Sequence, residues 1–201
     1  MSRKLSRRAF GAVLIAAAMI GPAAAGEEPV IVSRTEWKAK PAGFKMKAQT
    51  PKRILIHHTG SKSHLGASIL KKMASLQHFS QSKQKLSDGR TKLAWADVPY
   101  HFYIAADGAI AEGREITSVG DTNTNYDPSG YIQVVLEGNF EIEEPSAVQL
   151  AALEKLTVWL MKQYKISATE INFHRGVAQT ACPGKNLIDK LPGVIKALGG
   201  S

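Results

Sequence analysis

A single mixed α/β domain, one β-sheet flanked by helices, is the fold class this sequence predicts. Short apolar runs rich in β-branched residues alternate along the chain with stretches of helical periodicity, the pattern of one sheet covered by helices. The 201 residues, 44% of them hydrophobic, supply one core and would be cramped as two. The lone cysteine, Cys182, excludes an internal disulfide framework, so the core stands on packing, with or without a metal.

Residues 1–25 are set apart from this fold. A basic start (Arg3, Lys4, Arg7, Arg8), an apolar stretch from Ala9 to Ile20 and a closing Ala23-Ala24-Ala25 form the three parts of a cleavable export signal. Ser6-Arg7-Arg8-Ala9-Phe10 resembles a twin-arginine signal. The alternative, an uncleaved membrane helix, is disfavoured by the short, Ala-rich run, and no stable membrane insertion is expected once the signal is removed. Cleavage takes away four basic and no acidic residues, which lowers the net charge from +9 to +5. That surplus suits an anionic polymer as well as plain solubility and selects no partner. The expected location is periplasmic or secreted, where a single thiol is buried, dimer-forming or metal-bound.

Residues 26–52 are polar and rich in Lys and Pro, and read as a loop-like N-terminal arm anchored at Ser33–Trp37; the main domain is expected over 53–201. Arg53 to His58 is a buried strand closed by Thr59-Gly60. From His64 to about Ser80, the spacing of Leu65, Ile69, Met73, Leu76 and Phe79 predicts an amphipathic helix. Residues 81–97 form a long charged loop, of which 81–94 is expected to be a mobile basic rim. Tyr100–Ala106 and Ile110–Glu112 flank Asp107-Gly108 as a hairpin. Residues 120–130 are turn-forming, and Tyr131–Leu136 is another apolar strand. Ser146 with Gln149 makes a capping box before a helix whose buried stripe is Leu150, Leu153, Leu156, Leu160 and Tyr164. Glu170–His174 is a last strand, and residues 186–198 a closing helix broken at Pro192-Gly193.

The chemistry is limited to six histidines and one cysteine that could meet around an ion. His57 and His174 fall at strand ends, where ligands of such sheets gather. With Cys182 they would make a three-ligand set that leaves a fourth position open, as catalytic zinc requires. Spacing alone leaves a buried thiol and two unrelated histidines equally open, since seven residues between His174 and Cys182 match no short zinc pattern.

The segments Ile54–Thr59, Val98–Phe102, Asp107-Gly108, Glu112–Arg114, Leu136–Phe140 and His174-Arg175 through Thr180-Ala181-Cys182-Pro183-Gly184 occur in an order that resembles a known family. It is that of the type 2 N-acetylmuramoyl-L-alanine amidases, which includes peptidoglycan recognition proteins and amidase-type phage lysozymes. The resemblance spans residues 53–188. It implies the mixed-sheet fold of that family, a Zn²⁺ cofactor held by His57, His174 and Cys182, and peptidoglycan or muropeptides as partner rather than nucleic acid. It makes Tyr100 the tyrosine beside the metal-bound water, and places Thr180 where relatives carry Lys or Thr. The implied activity is hydrolysis of the amide between N-acetylmuramic acid and L-alanine.

Two departures fall on the cleft rim. Val119-Gly120-Asp121-Thr122-Asn123 replaces a segment in which relatives carry a substrate-facing histidine, and residues 81–94 look like an insertion. His58 and His101 should face away from the site as packed histidines, while Trp95 is the tryptophan expected near a sugar or peptide. The rival reading is a module that binds muropeptides without cutting them. A third, a Cys/His nucleophilic hydrolase, lacks a helix N-terminus or cation at Cys182 to activate the thiol.

Overall fold

The computed structural model describes residues 28–85, 89 and 91–198, so the expected export signal at 1–25 lies outside the described residues. In chain order the strands are β1 (Ile31–Val32), β2 (Arg53–His58), β3 (Gln84–Lys85), β4 (Thr91–Lys92), β5 (Phe102–Ile104), β6 (Ile110–Glu112), β7 (Tyr131–Leu136) and β8 (Ile171–Phe173). The helices are α1 (Ile69–Gln81), α2 (Ala147–Tyr164), α3 (Lys185–Ile188) and α4 (Leu191–Ala197).

A six-stranded sheet in the order β1-β6-β5-β7-β2-β8 forms the centre. Only β5 and β6 pair antiparallel, across the Asp107-Gly108 turn; the other neighbours are parallel. Parallel strands covered on both faces lack a polar side, which is why β2 and β7 are buried almost throughout. Ile54, Ile56, Val134 and Leu136 face α2, α3 and α4 through Leu153, Leu156, Leu160, Leu187 and Leu191. On the opposite face Tyr103, Ala111 and Val135 pack with Met73 of α1 and with Trp37. The mixed sheet flanked by helices is thus the fold class expected from the sequence.

Several elements differ in extent. α1 begins at Ile69, not His64, because the Ser68 side chain accepts the Lys71 N–H as N-cap. The preceding residues find other partners: Ser63 N–H donates to Glu143 and His64 N–H to Glu137. Leu65 is consequently exposed, and the buried face of α1 is Met73, Gln77 and Ser80 rather than the full apolar stripe. Gln77 is drawn inward by Asp97, to whose carboxylate it donates at 2.8 Å. The capping box at Ser146 and Gln149 forms as expected. Pro192 falls in the first turn of α4, where its missing N–H costs nothing, and the helix break comes earlier, between Ile188 and Leu191.

The arm carries a strand where a loop was expected, and part of the rim pairs. β1 adds an edge strand to the main sheet, and Trp37 is 2% exposed, with its indole N–H donating to the Glu112 carbonyl at 2.8 Å. Within 81–94, β3 and β4 pair antiparallel, held by Lys92. Its ammonium donates to the carbonyls of Ser80, Ser82 and Leu93 and lies over the Phe79 and Trp95 rings. One lysine, packed on aromatics, ties the β3–β4 pair to the end of α1.

Candidate metal centre and cleft

Sheet register assembles the centre. Ile56 of β2 pairs with Phe173 of the parallel β8, so the following residues, His57 and His174, arrive side by side with ring centroids 4.7 Å apart. Cys182 comes from the loop before α3. Its sulfur accepts the His58 N–H at 3.3 Å and lies 3.7 Å from His57 Nδ1. That loop is tied down by Arg175, whose guanidinium donates to the carbonyls of Thr180 and Ala181 and to the Glu141 carboxylate. Gly184 allows the close approach at φ +94°, since a Cβ there would stand 2.4 Å from the Phe140 backbone.

One donor atom from each of His57, His174 and Cys182 lies within 4.8 Å of the other two. Tetrahedral zinc with Zn–S of about 2.3 Å and Zn–N of about 2.0–2.1 Å separates such donors by about 3.6 Å. The 3.7 Å between Cys182 Sγ and His57 Nδ1 matches that spacing for this pair. Burial, reinforced by the neighbouring His174 and His58, holds His57 well below its usual range, and burial lowers His174 too, so both rings are neutral as ligands must be. Burial pushes the Cys182 thiol up to about 12, against the opposing pull of the His58 N–H and Arg175. A divalent cation reverses that balance and makes the thiolate the stable form. The same burial opposes the nucleophilic-cysteine reading, which needs a depressed thiol pKa.

The three residues line a cavity of about 230 Å³ together with Trp95, Tyr100, Asp121, Thr124 and Thr180. The Tyr100 ring stands 5.3 Å from that of His57, fixed through its carbonyl, which accepts the Arg114 N–H at 2.8 Å. Burial raises the phenol above its usual range, so it is a hydrogen-bond donor throughout neutral pH. Thr180 Oγ1 accepts the Cys182 N–H at 3.2 Å, which leaves its own proton free to donate. Thr59 lines both this cavity and a second one of about 420 Å³, bordered by Lys62, His64 and Lys71.

His58 faces the other side of its strand, where its Nδ1 accepts the Phe140 N–H. His101 is structural: its Nδ1 accepts the Gln133 N–H at 2.8 Å and its Nε2 lies 2.9 Å from the Ser118 carbonyl. On the cleft rim, Asp121 pairs with the buried Arg114, and Thr124 Oγ1 sits 2.6 Å from His174 Nε2. Thr124 and Arg175 touch the donor residues or their loop and were not found from the sequence. Only Arg175, adjacent to a candidate ligand, carried a local signal.

Fold and site define a mixed α/β protein with two histidines at strand ends and a loop cysteine forming a donor set open to a cleft. The family described as N-acetylmuramoyl-L-alanine amidase matches residues 47–185, and the chain belongs to it. It is 32% identical over 167 residues to peptidoglycan-recognition protein SD of Drosophila simulans, covering 81% of this chain and 83% of the relative. The solved N-acetylmuramoyl-L-alanine amidase LysC from Clostridium intestinale URNW superposes with a TM-score of 0.68 at 25% identity, over 86% of this chain and 99% of LysC. The ectodomain complex of peptidoglycan recognition proteins LCa and LCx bound to tracheal cytotoxin gives 0.63 at 26% identity, over 81% of this chain and 95% of the matched one.

Proposed function

We propose that this protein is a zinc-dependent amidase that cleaves the bond between N-acetylmuramic acid and L-alanine in peptidoglycan or its fragments. The carrying observation is the approach of Cys182 Sγ to His57 Nδ1 at 3.7 Å, with His174 beside them, on the wall of an open cavity. His57, His174 and Cys182 would hold the ion. Zn²⁺ in such a set acts as a Lewis acid toward an amide carbonyl and brings the pKa of water toward ~7. The chain's own groups bind and orient the amide. Tyr100 donates a hydrogen bond from its hydroxyl to the carbonyl oxygen as that oxygen gains charge. Thr180 orients the attacked amide through its free hydroxyl proton, and Trp95 offers a flat apolar wall to a sugar or peptide. Lys62 and Lys71, on the second cavity, suit the carboxylates of a stem peptide.

A second reading, a muropeptide-binding module without activity, is favoured by the relatives that carry the name of recognition proteins, one of them solved with tracheal cytotoxin. Incubating purified protein with muropeptides, with and without Zn²⁺, and weighing the products by mass spectrometry separates the two. Free stem peptide that depends on zinc supports the amidase. Binding without release at any metal level would discard it.

We further propose that residues 1–25 direct export and are removed, leaving an arm at 26–52 and a catalytic domain at 53–201 in the periplasm or outside the cell. Among the described residues, no helix is long and apolar enough to cross a membrane. N-terminal sequencing of exported protein should begin at Gly26; a full-length chain retained in the membrane would refute the assignment.

A further inference from the structure

Gln133 has a place in the centre that its position on β7 conceals. β7 aligns Val135 with His57 and Gln133 with Leu55, so the Gln133 side chain lies on the face of His57, one diagonal step away. It is fully buried. Its backbone is clamped on both sides, donating to His101 Nδ1 at 2.8 Å and accepting the His101 N–H at 2.9 Å. Room for its carboxamide exists because residue 120 is glycine: a Cβ there would come within 2.1 Å of Gln133 Nε2. Among the described residues, His57 Nε2 and Gln133 Nε2 are both buried side-chain atoms without a hydrogen-bond partner.

A neutral imidazole carries one proton. If Nδ1 faces Cys182 Sγ and the ion, the proton is on Nε2, and a buried N–H requires an acceptor. The Gln133 carbonyl oxygen accepts the Tyr126 hydroxyl at 3.2 Å with one lone pair and has a second to offer. We infer that Gln133 is a positioning residue: its carboxamide oxygen accepts the Nε2–H of His57 and thereby turns the Nδ1 lone pair toward Cys182 and the metal position. The inference rests on the amidase proposal for the identity of the metal, while the contact itself concerns the chain alone.

The test compares wild type, Gln133→Leu and Gln133→Glu by zinc titration against a chromophoric chelator, with the metal-free melting temperature of each as a control for folding. Loss of the acceptor in Gln133→Leu should weaken zinc binding roughly 10- to 100-fold. Gln133→Glu, a stronger acceptor, should bind zinc at least as tightly as wild type. A residue that merely fills space predicts the reverse, because a buried carboxylate is worse tolerated than leucine. Zinc affinity unchanged in Gln133→Leu, or weaker in Gln133→Glu than in Gln133→Leu, would overturn the inference. If the wild type took up no zinc, the amidase proposal would fail instead. The ¹⁵N-resolved tautomer of His57 in metal-free protein would then still decide the contact: Nε2–H in wild type and mixed in Gln133→Leu supports it, and Nδ1–H in wild type refutes it.

Discussion

The backbone N–H of His58 donates to the sulfur of Cys182 at 3.3 Å, joining residues 124 positions apart in the chain. A strand residue thus serves the centre through its main chain while its imidazole packs on the far face against Phe140. Charge-assisted N–H···S contacts favour a thiolate, which is the form a metal ligand must take.

Removing that sulfur should remove the metal. Cys182→Ala is expected to copurify without zinc and to release no stem peptide, while muropeptide affinity, carried by the cleft walls, stays within a few-fold of wild type. Metal analysis and calorimetric binding measure the two properties separately.

Tyr100→Phe should behave differently. It keeps the ring that packs beside His57 and loses only the donor, so zinc content should be unchanged and kcat should fall on the order of 100-fold. A loss confined to KM would place the hydroxyl in substrate binding rather than in charge stabilisation.

Gly120→Ala tests the packing that seats Gln133. The new methyl would meet both Gln133 Nε2 and, at 2.7 Å, the Pro99 carbonyl. Destabilisation of about 1–3 kcal/mol in urea unfolding is expected, as for other overpacked sites, with weaker zinc binding alongside.

Lys92→Met should loosen the pairing of β3 with β4. Three carbonyls lose a buried charged donor, and the expected cost is about 1–3 kcal/mol. Hydrogen exchange should quicken at Trp95, whose N–H is bonded to the Ser80 carbonyl at 2.9 Å.

Acid should destabilise the metal-free protein through His101. Burial lowers its pKa from 6.5 to about 4, and protonating Nδ1 would set two N–H groups against each other at Gln133. A depressed folded-state pKa means that the stabilisation is complete above the unfolded value of 6.5 and is lost as pH falls through about 4. The loss is on the order of 3 kcal/mol. His58, also lowered to about 4 by burial, acts in the same window. Thermal melts from pH 7 to 4 should show the fall, and His101→Gln should flatten part of it.

The sequence by itself determined the elements whose signals are local. The apolar runs at 53–58 and 131–136, the Asp107-Gly108 turn and the Ser146/Gln149 capping box each depend on residues a few positions apart, so they are legible without the fold. His57, His174 and Cys182 were legible as candidates through chemistry and motif order, since few residue types can serve as soft ligands.

Only the tertiary structure decided what depends on distant partners. Pairing with β6 makes Ile31–Val32 a strand, the Glu137 and Glu143 carboxylates hold the backbone before α1, and carbonyls from three residues hold Lys92 in place. The same holds within the centre. Register between β2 and β8 sets His57 beside His174, and register between β2 and β7 puts Gln133 on the same face of the sheet as His57. A polar residue in an apolar strand reads locally as a blemish; its use emerges only when the opposite strand supplies the group it bonds, because burial makes an unpaired polar atom costly and a paired one directional.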